Sequence, residues 1–186
     1  MALIGKNASK FNRMLAGQIR SEFTSSQQYT AIGVWFDAQD LPRLAAHFYR
    51  QALEERNHAM MIVRYLLDND IPAEIPGVDE VRNDFSAAHE PVELALTREK
   101  TVTKEIVALA KEARAEGDYP GEQFMQWFIR EQVEEVAKIS TLLHVIERAG
   151  DDLFNVEDFV AREWPAAPDR DPTTPRPAGG PASLGA

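Results

Sequence analysis

Residues 44–66 read LAAHFYRQALEERNHAMMIVRYL. Leu44, Phe48, Ala52, Ala59, Ile62 and Leu66 recur at steps of three, four and seven, so they share one face of an α-helix. Glu55 stands between Ala52 and Ala59 on that face, and His58 follows three residues later. A carboxylate and an imidazole inside an apolar stripe are unusual enough to ask what interrupts the other stripes of the chain.

Three further long segments carry the same periodicity. The first runs from about Ser9, a predicted N-cap, to Phe36, with Phe11, Met14, Leu15, Ile19, Phe23, Ser26, Tyr29 and Gly33 on one face. The third opens at Pro91 and carries Val92, Ala95, Leu96, Val102, Ile106, Leu109, Ala110 and Ala113, with Gly117 predicted to end it. The fourth runs from about Tyr119 to Ala149, with Phe124, Phe128, Ile139, Leu142, Val145 and Ile146, and stops at Gly150. Asp40 is predicted to cap the second helix, with Pro42 in its first turn, and that helix to end near Asp68-Asn69-Asp70. Asp151-Asp152 opens a short fifth helix carrying Leu153, Phe154, Val156, Phe159 and Val160. Residues 71–90 hold Pro72 and Pro76-Gly77 and no period. That length suits a crossover along a bundle, joining two parallel neighbouring helices. No strand pattern or internal repeat occurs. The predicted class is all-α: a four-helix bundle with a long crossover between helices 2 and 3 and a short fifth helix. The bundle is expected to occupy residues 1–164. Six of the 22 residues from Pro165 to Ala186 are proline, so 165–186 reads as a disordered or extended tail.

The chain has 186 residues, 44% of them apolar, enough for one domain with a real core. Thirty acidic residues against twenty Lys and Arg leave a net charge of −10. That argues against a nucleic-acid binder and favours a cationic partner. The absence of cysteine excludes disulfide scaffolds, thiolate metal sites and thiol catalysis. The opening Met1-Ala-Leu-Ile-Gly-Lys6 is too short an apolar stretch for a signal peptide, and no run has the length of a membrane span, so the expected location is the cytoplasm without membrane contact.

The interruptions coincide in depth. Glu22 lies between Gln18 and Ser26 on the first stripe, Glu99 is aligned with Leu96 and Val102, and Gln132 and Glu135 lie between Phe128 and Ile139. All fall in the middle third of helices about 40 Å long. The stripes place no Lys or Arg at that depth, with Arg56, Arg98 and Arg130 about one helical step aside. A buried, unpaired carboxylate costs several kcal/mol, and Glu22, Glu55, Glu99 and Glu135 would also repel one another. Either they hold protons at raised pKa values, or cations sit among them. Two divalent metals would neutralise all four and leave His58 a neutral nitrogen donor.

These residues resemble the ferritin family. Glu55-Arg56-Asn57-His58, Glu22, Glu99 and the run Glu131-Gln132-Val133-Glu134-Glu135 are similar to the di-iron pattern of one Glu from each of two helices and Glu-x-x-His from each of the others. The departure is Gln132-x-x-Glu135 in the last element. Bacterioferritins carry the second Glu-x-x-His and a haem-ligating Met directly after the first Glu. Arg56 stands there, so the resemblance is to the non-haem bacterial ferritins, and no haem is expected.

The resemblance implies a shell of 24 subunits that oxidises Fe(II) to Fe(III) with O₂ or H₂O₂ at a di-iron centre and stores ferric mineral inside. By matching position, Glu22, Glu55 and His58 hold the first iron. Glu55 bridges to a second, held by Glu99 and Glu135, with Gln132 touching the site through its amide. Tyr29 matches a tyrosine that hydrogen-bonds near the site and supplies an electron. Glu54, Glu131 and Glu134 resemble the ligands of a third iron site. Glu122 matches an acidic position of the three-fold entry channel, whose second acidic position in animal ferritins falls at Met125. Trp127 is read as packing. Three other readings stand beside this one: a storage shell without fast oxidation of its own, a structural helical bundle whose core carboxylates bind no metal, and a cargo ferritin of an encapsulin shell. The last is suggested by the tail, whose end Ser183-Leu184-Gly185 resembles encapsulin docking peptides.

Overall fold

The computed structural model describes residues 9–164 and 171–182. Five helices account for the described bundle: α1 (Lys10–Asp37), α2 (Pro42–Asp68), α3 (His89–Glu116), α4 (Tyr119–Ala149) and α5 (Leu153–Glu163). Among the described residues there is no strand. No described helix is long and apolar enough to cross a membrane. The start of the chain and Ser183-Leu184-Gly185 lie outside the described residues.

The helix ends follow local chemistry where a side chain is in reach. Ser9 caps α1 by accepting from Asn12 N at 3.1 Å, and Asp118 caps α4 by accepting from Gly121 N. Gly117 closes α3 in the left-handed conformation at φ 74°, which favours a residue without Cβ. Asp40 does not cap α2. It takes φ 57° in the connecting turn, and Leu41 occupies the N-cap without a side-chain bond. The free N–H groups of Arg43 and Leu44 are met instead by the Glu157 carboxylate of α5, at 2.8 Å each for the shorter bonds. Glu116 at the end of α3 likewise accepts from Lys10 N and Phe11 N at the start of α1. Two helix N-termini are therefore completed by acidic residues more than a hundred positions away, where the dipole favours negative charge.

α1 packs closely on α2 and on α3, and α3 on α4. Those three edges leave α2 and α4 facing each other across the fourth side. Residues 71–85 run without regular structure from one end of the bundle to the other. Ile71 packs against the apolar cluster that holds Leu66 and Phe11, whereas Phe85 packs against the one that holds Val92 and Phe36. α2 and α3 are thus parallel, as predicted, but diagonal rather than neighbouring, since their Cα atoms never come within 8 Å.

The apolar core is split in two. One cluster holds Tyr29, Phe36, Phe48, Ile139 and Val156, and the other Phe11, Ile19, Ile62, Ile106 and Phe128. The acidic layer lies between them. One predicted core position fails: Phe154 is 83% exposed, and α5 docks through Val156 and Val160 alone as fully buried contacts.

Candidate metal centre

The layer between the two clusters contains Glu22, Glu55, Glu99, Gln132 and Glu135, none more than 3% exposed, with His58 beside them at 5%. Each helix delivers its residue because the flanking stripe residues are buried, which leaves an intervening side chain at i+3 or i+4 no route to water. Glu22, Glu55 and His58 converge, each offering one potential ligand atom within 4.8 Å of the other two. His58 Nδ1 lies 3.7 Å from Glu55 Oε1.

Glu22 and Glu55 are not neutralised within the protein. Gln18 Nε2 donates to Glu22 Oε1 at 2.8 Å, but Glu22 Oε2 and both oxygens of Glu55 are buried without a hydrogen-bond partner. Burial, reinforced by the neighbouring Glu55, pushes the Glu22 carboxyl well above its usual range. Burial and the charge of Glu99 do the same to Glu55. Glu99 is pushed up to about 7, first by burial and then by Glu135 and Glu22, against hydrogen bonds from Tyr29 and Gln132. Orphaned carboxylate oxygens around an imidazole form a hard donor set that suits a metal cation.

The other half of the layer is arranged differently. The Tyr29 hydroxyl donates to Glu99 Oε1, and Gln132 Nε2 donates to Glu99 Oε2 at 3.2 Å. Thr103 Oγ1 fixes the Gln132 amide by donating to its Oε1 at 2.8 Å. Both oxygens of Glu135 are engaged, Oε1 by Lys138 Nζ at 2.9 Å and Oε2 by Gln51 Nε2 at 2.7 Å. The sequence-based expectation of no basic residue at this depth is therefore corrected. Lys138 sits one turn along α4 from Glu135 at i+3, and its flexible stem brings the ammonium in from the edge of the bundle. Gln51, Thr103 and Lys138 were missed because a polar residue beside a stripe reads as ordinary surface, and Gln18, although placed on the first stripe, was given no role. Their spacing of three or four from Glu22, Glu55, Glu99 and Glu135 was the available signal.

Of the remaining predicted residues, Glu131 is half-buried with its carboxyl raised by burial, Glu54 lies at the edge of α2 with its carboxyl pushed up to about 7 by burial and by Glu135, and Glu134 is exposed. Glu122 is paired with Arg114 at the start of α4. Met125 is fully buried in the same apolar cluster as Phe128. Trp127 packs, as predicted, and does so against His58, its ring centroid 5.6 Å away in an edge arrangement.

Residues 12–149 match the family model of the ferritin-like domain. The chain belongs to the ferritin family. It is similar to Ferritin BfrB of Mycolicibacterium smegmatis, 61% identical over 172 residues that cover 92% of this chain and 94% of the relative. It is 34% identical to a bacterial non-heme ferritin of Staphylococcus aureus over 138 residues, 74% of this chain and 83% of the relative. An open pore ferritin from Archaeoglobus fulgidus superposes with a TM-score of 0.80 at 25% identity, covering 84% of this chain and 97% of that structure. The coarse function of this ferritin, iron storage, follows from that membership.

Proposed function

We propose that this ferritin is a ferroxidase, an oxidoreductase that takes Fe(II) as substrate and stores the ferric product within a shell of 24 copies. The observation that carries the reading is the convergence of Glu22, Glu55 and His58 with three buried carboxylate oxygens that lack any partner. Fe(II) entering this set gains charge neutralisation, and Fe(III), the harder ion, gains more, so the site favours oxidation. Two Fe(II) ions supply the two electrons that reduce O₂ to H₂O₂, or H₂O₂ to water.

Glu22, Glu55 and His58 hold one iron. Glu55 reaches toward the second, for which Glu99, Gln132 and Glu135 are the donors. The Tyr29 hydroxyl steadies Glu99 and stands where a phenol can yield an electron. Glu54, Glu131 and Glu134 form a third, peripheral iron position. Arg56 follows Glu55, and a guanidinium cannot ligate haem iron, so the site works without haem. The working unit is residues 1–164 with residues 165–186 as a tail, acting in the cytoplasm.

A storage shell without fast oxidation is the second reading. The observation in its favour is Glu135, whose two oxygens are taken by Lys138 and Gln51. Anaerobic Fe(II) titration of metal-free protein, followed by rapid mixing with O₂, separates the two. Two or three Fe(II) per chain and rapid oxidation, both lost in Glu55→Ala and His58→Ala with helicity intact, are expected. Unchanged initial rates in those variants would overturn the assignment. The encapsulin-cargo reading predicts that a chain cut before Pro165 loses its shell partner on co-purification.

A further inference from the structure

On the fourth side of the bundle the backbones stand further apart. α2 and α4 meet through side chains, as in the Tyr65–Phe124 stack at 4.3 Å between ring centroids, yet their Cα atoms nowhere come within 8 Å. The described tail, residues 171–182, lies in this seam and is tied to both helices. On α4, Trp127 Nε1 donates to Asp171 Oδ2 at 3.1 Å, and Arg130 reaches Thr173 Oγ1 at 3.4 Å. On α2, Ala178 N donates to Met60 O at 3.0 Å. Asn57 then grips both polar atoms of Ala182, its Oδ1 accepting from Ala182 N at 2.8 Å and its Nδ2 donating to Ala182 O at 3.1 Å. Between these points Pro175 and Pro177 line a cavity of about 820 Å³ together with Tyr65 and Phe124.

Both anchors adjoin the candidate centre. Asn57 precedes His58 in the chain. The Trp127 ring, held at its Nε1 by Asp171, packs T-shaped with the His58 imidazole. The tail's proline content suits the role, because an already extended segment loses little entropy on docking.

We propose that residues 171–182 are a strap that closes the α2/α4 seam and, through Trp127, fixes the His58 ring, making Asn57 and Asp171 positioning residues for the metal centre. The strap slows metal exchange along the seam. This rests on the reading of His58 as a metal donor.

The test uses full-length protein with Asn57→Ala and Asp171→Ala, and Co(II) as a probe that O₂ does not oxidise under the assay conditions. Amide hydrogen exchange reads docking directly: Ala178 and Ala182 are protected in the parent and lose that protection in Asn57→Ala. Trp35 and Trp164 pack elsewhere, against Phe85 and His47, so a red shift of emission in Asp171→Ala reports Trp127. Co(II) release to a chelator accelerates about three- to tenfold in either variant, the factor for loss of one net hydrogen bond, with the bound number unchanged. Unprotected Ala178 and Ala182 in the parent would overturn the strap, as would Co(II) release at the parental rate in both variants. If the parent itself binds no Co(II), the metal reading fails separately, and the exchange data still decide whether the strap exists.

Discussion

Replacing Glu99 with glutamine should change sign in its effect on stability as pH rises. In the metal-free protein the Glu99 carboxyl titrates at about 7 instead of its ordinary 4.5, mainly because it is buried. A raised folded pKa means that the folded state binds the extra proton. Its contribution is complete below pH 4.5 and is lost as pH climbs to about 7. At about 1.4 kcal/mol per unit, Glu99 costs the metal-free protein about 3 kcal/mol by pH 8. The substituted amide keeps an oxygen for the Tyr29 hydroxyl but offers Gln132 Nε2 a poorer partner, a loss of about 1 kcal/mol. Glu99→Gln is therefore expected to destabilise by about 1 kcal/mol at pH 4.5 and to stabilise by about 2 kcal/mol at pH 8. Guanidinium unfolding midpoints in the presence of a chelator, at the two pH values, measure this. Equal destabilisation at both would refute the reasoning, because it would mean that Glu99 ionises as an ordinary surface carboxyl. Saturating Fe(II) under anaerobic conditions should reverse the ranking at pH 8, since a ligand at a hundred times its Kd adds about 2.7 kcal/mol to the state that binds it.

Three further outcomes are expected. Glu157→Ala removes the acceptor for Arg43 N and Leu44 N and should cost about 1 to 2 kcal/mol, read from the thermal midpoint, with α5 loosening first in hydrogen exchange. Burial lowers His47 to about 3, with no partner at its Nε2, so its folded state refuses the proton that the unfolded chain accepts near 6.5. Stability therefore falls as pH drops from 6.5 toward 3, and His47→Phe should flatten that acid slope, a contribution of up to about 5 kcal/mol seen in denaturant midpoints. Tyr29→Phe removes a hydrogen bond that holds the Glu99 carboxyl down, so metal uptake should require a higher pH, as followed by Co(II) absorbance across a titration.

Much of the architecture was legible because helical periodicity is a local property. The stripes of α1 to α4 and the terminators Gly117 and Gly150 were read within a residue or two. The acidic layer was legible for the same reason: Glu22, Glu55, Glu99 and Glu135 each break a stripe, and counting from the helix starts put them at one depth. Capping was legible at Ser9, where donor and acceptor are neighbours in sequence, whereas the Asp118 cap of α4 was seen only in the structure. Asp40 failed because its backbone is committed to a left-handed turn, while the carboxylate that completes α2 arrives from α5.

Within the centre, the sequence distinguished neither the engaged carboxylates from the orphaned ones nor Lys138 from a solvated lysine. Those outcomes depend on how far apart four rods settle and on which flexible side chains can cross the gaps. The tail shows the limit most clearly. Its composition is that of an extended appendage, and over residues 171–182 it is irregular, with turns closed by Thr174 N to Asp171 O and Gly180 N to Pro177 O, yet Asp171 and Ala182 are bound to Trp127 and Asn57. No local pattern announces such a partner. The sequence by itself determined the helices, their apolar faces and the depth of the acidic layer, since these follow from spacing along one chain. The tertiary structure alone decided which carboxylates lack partners, which distant acids cap the helices and where the tail lies, since these follow from distances between segments that the chain does not keep adjacent.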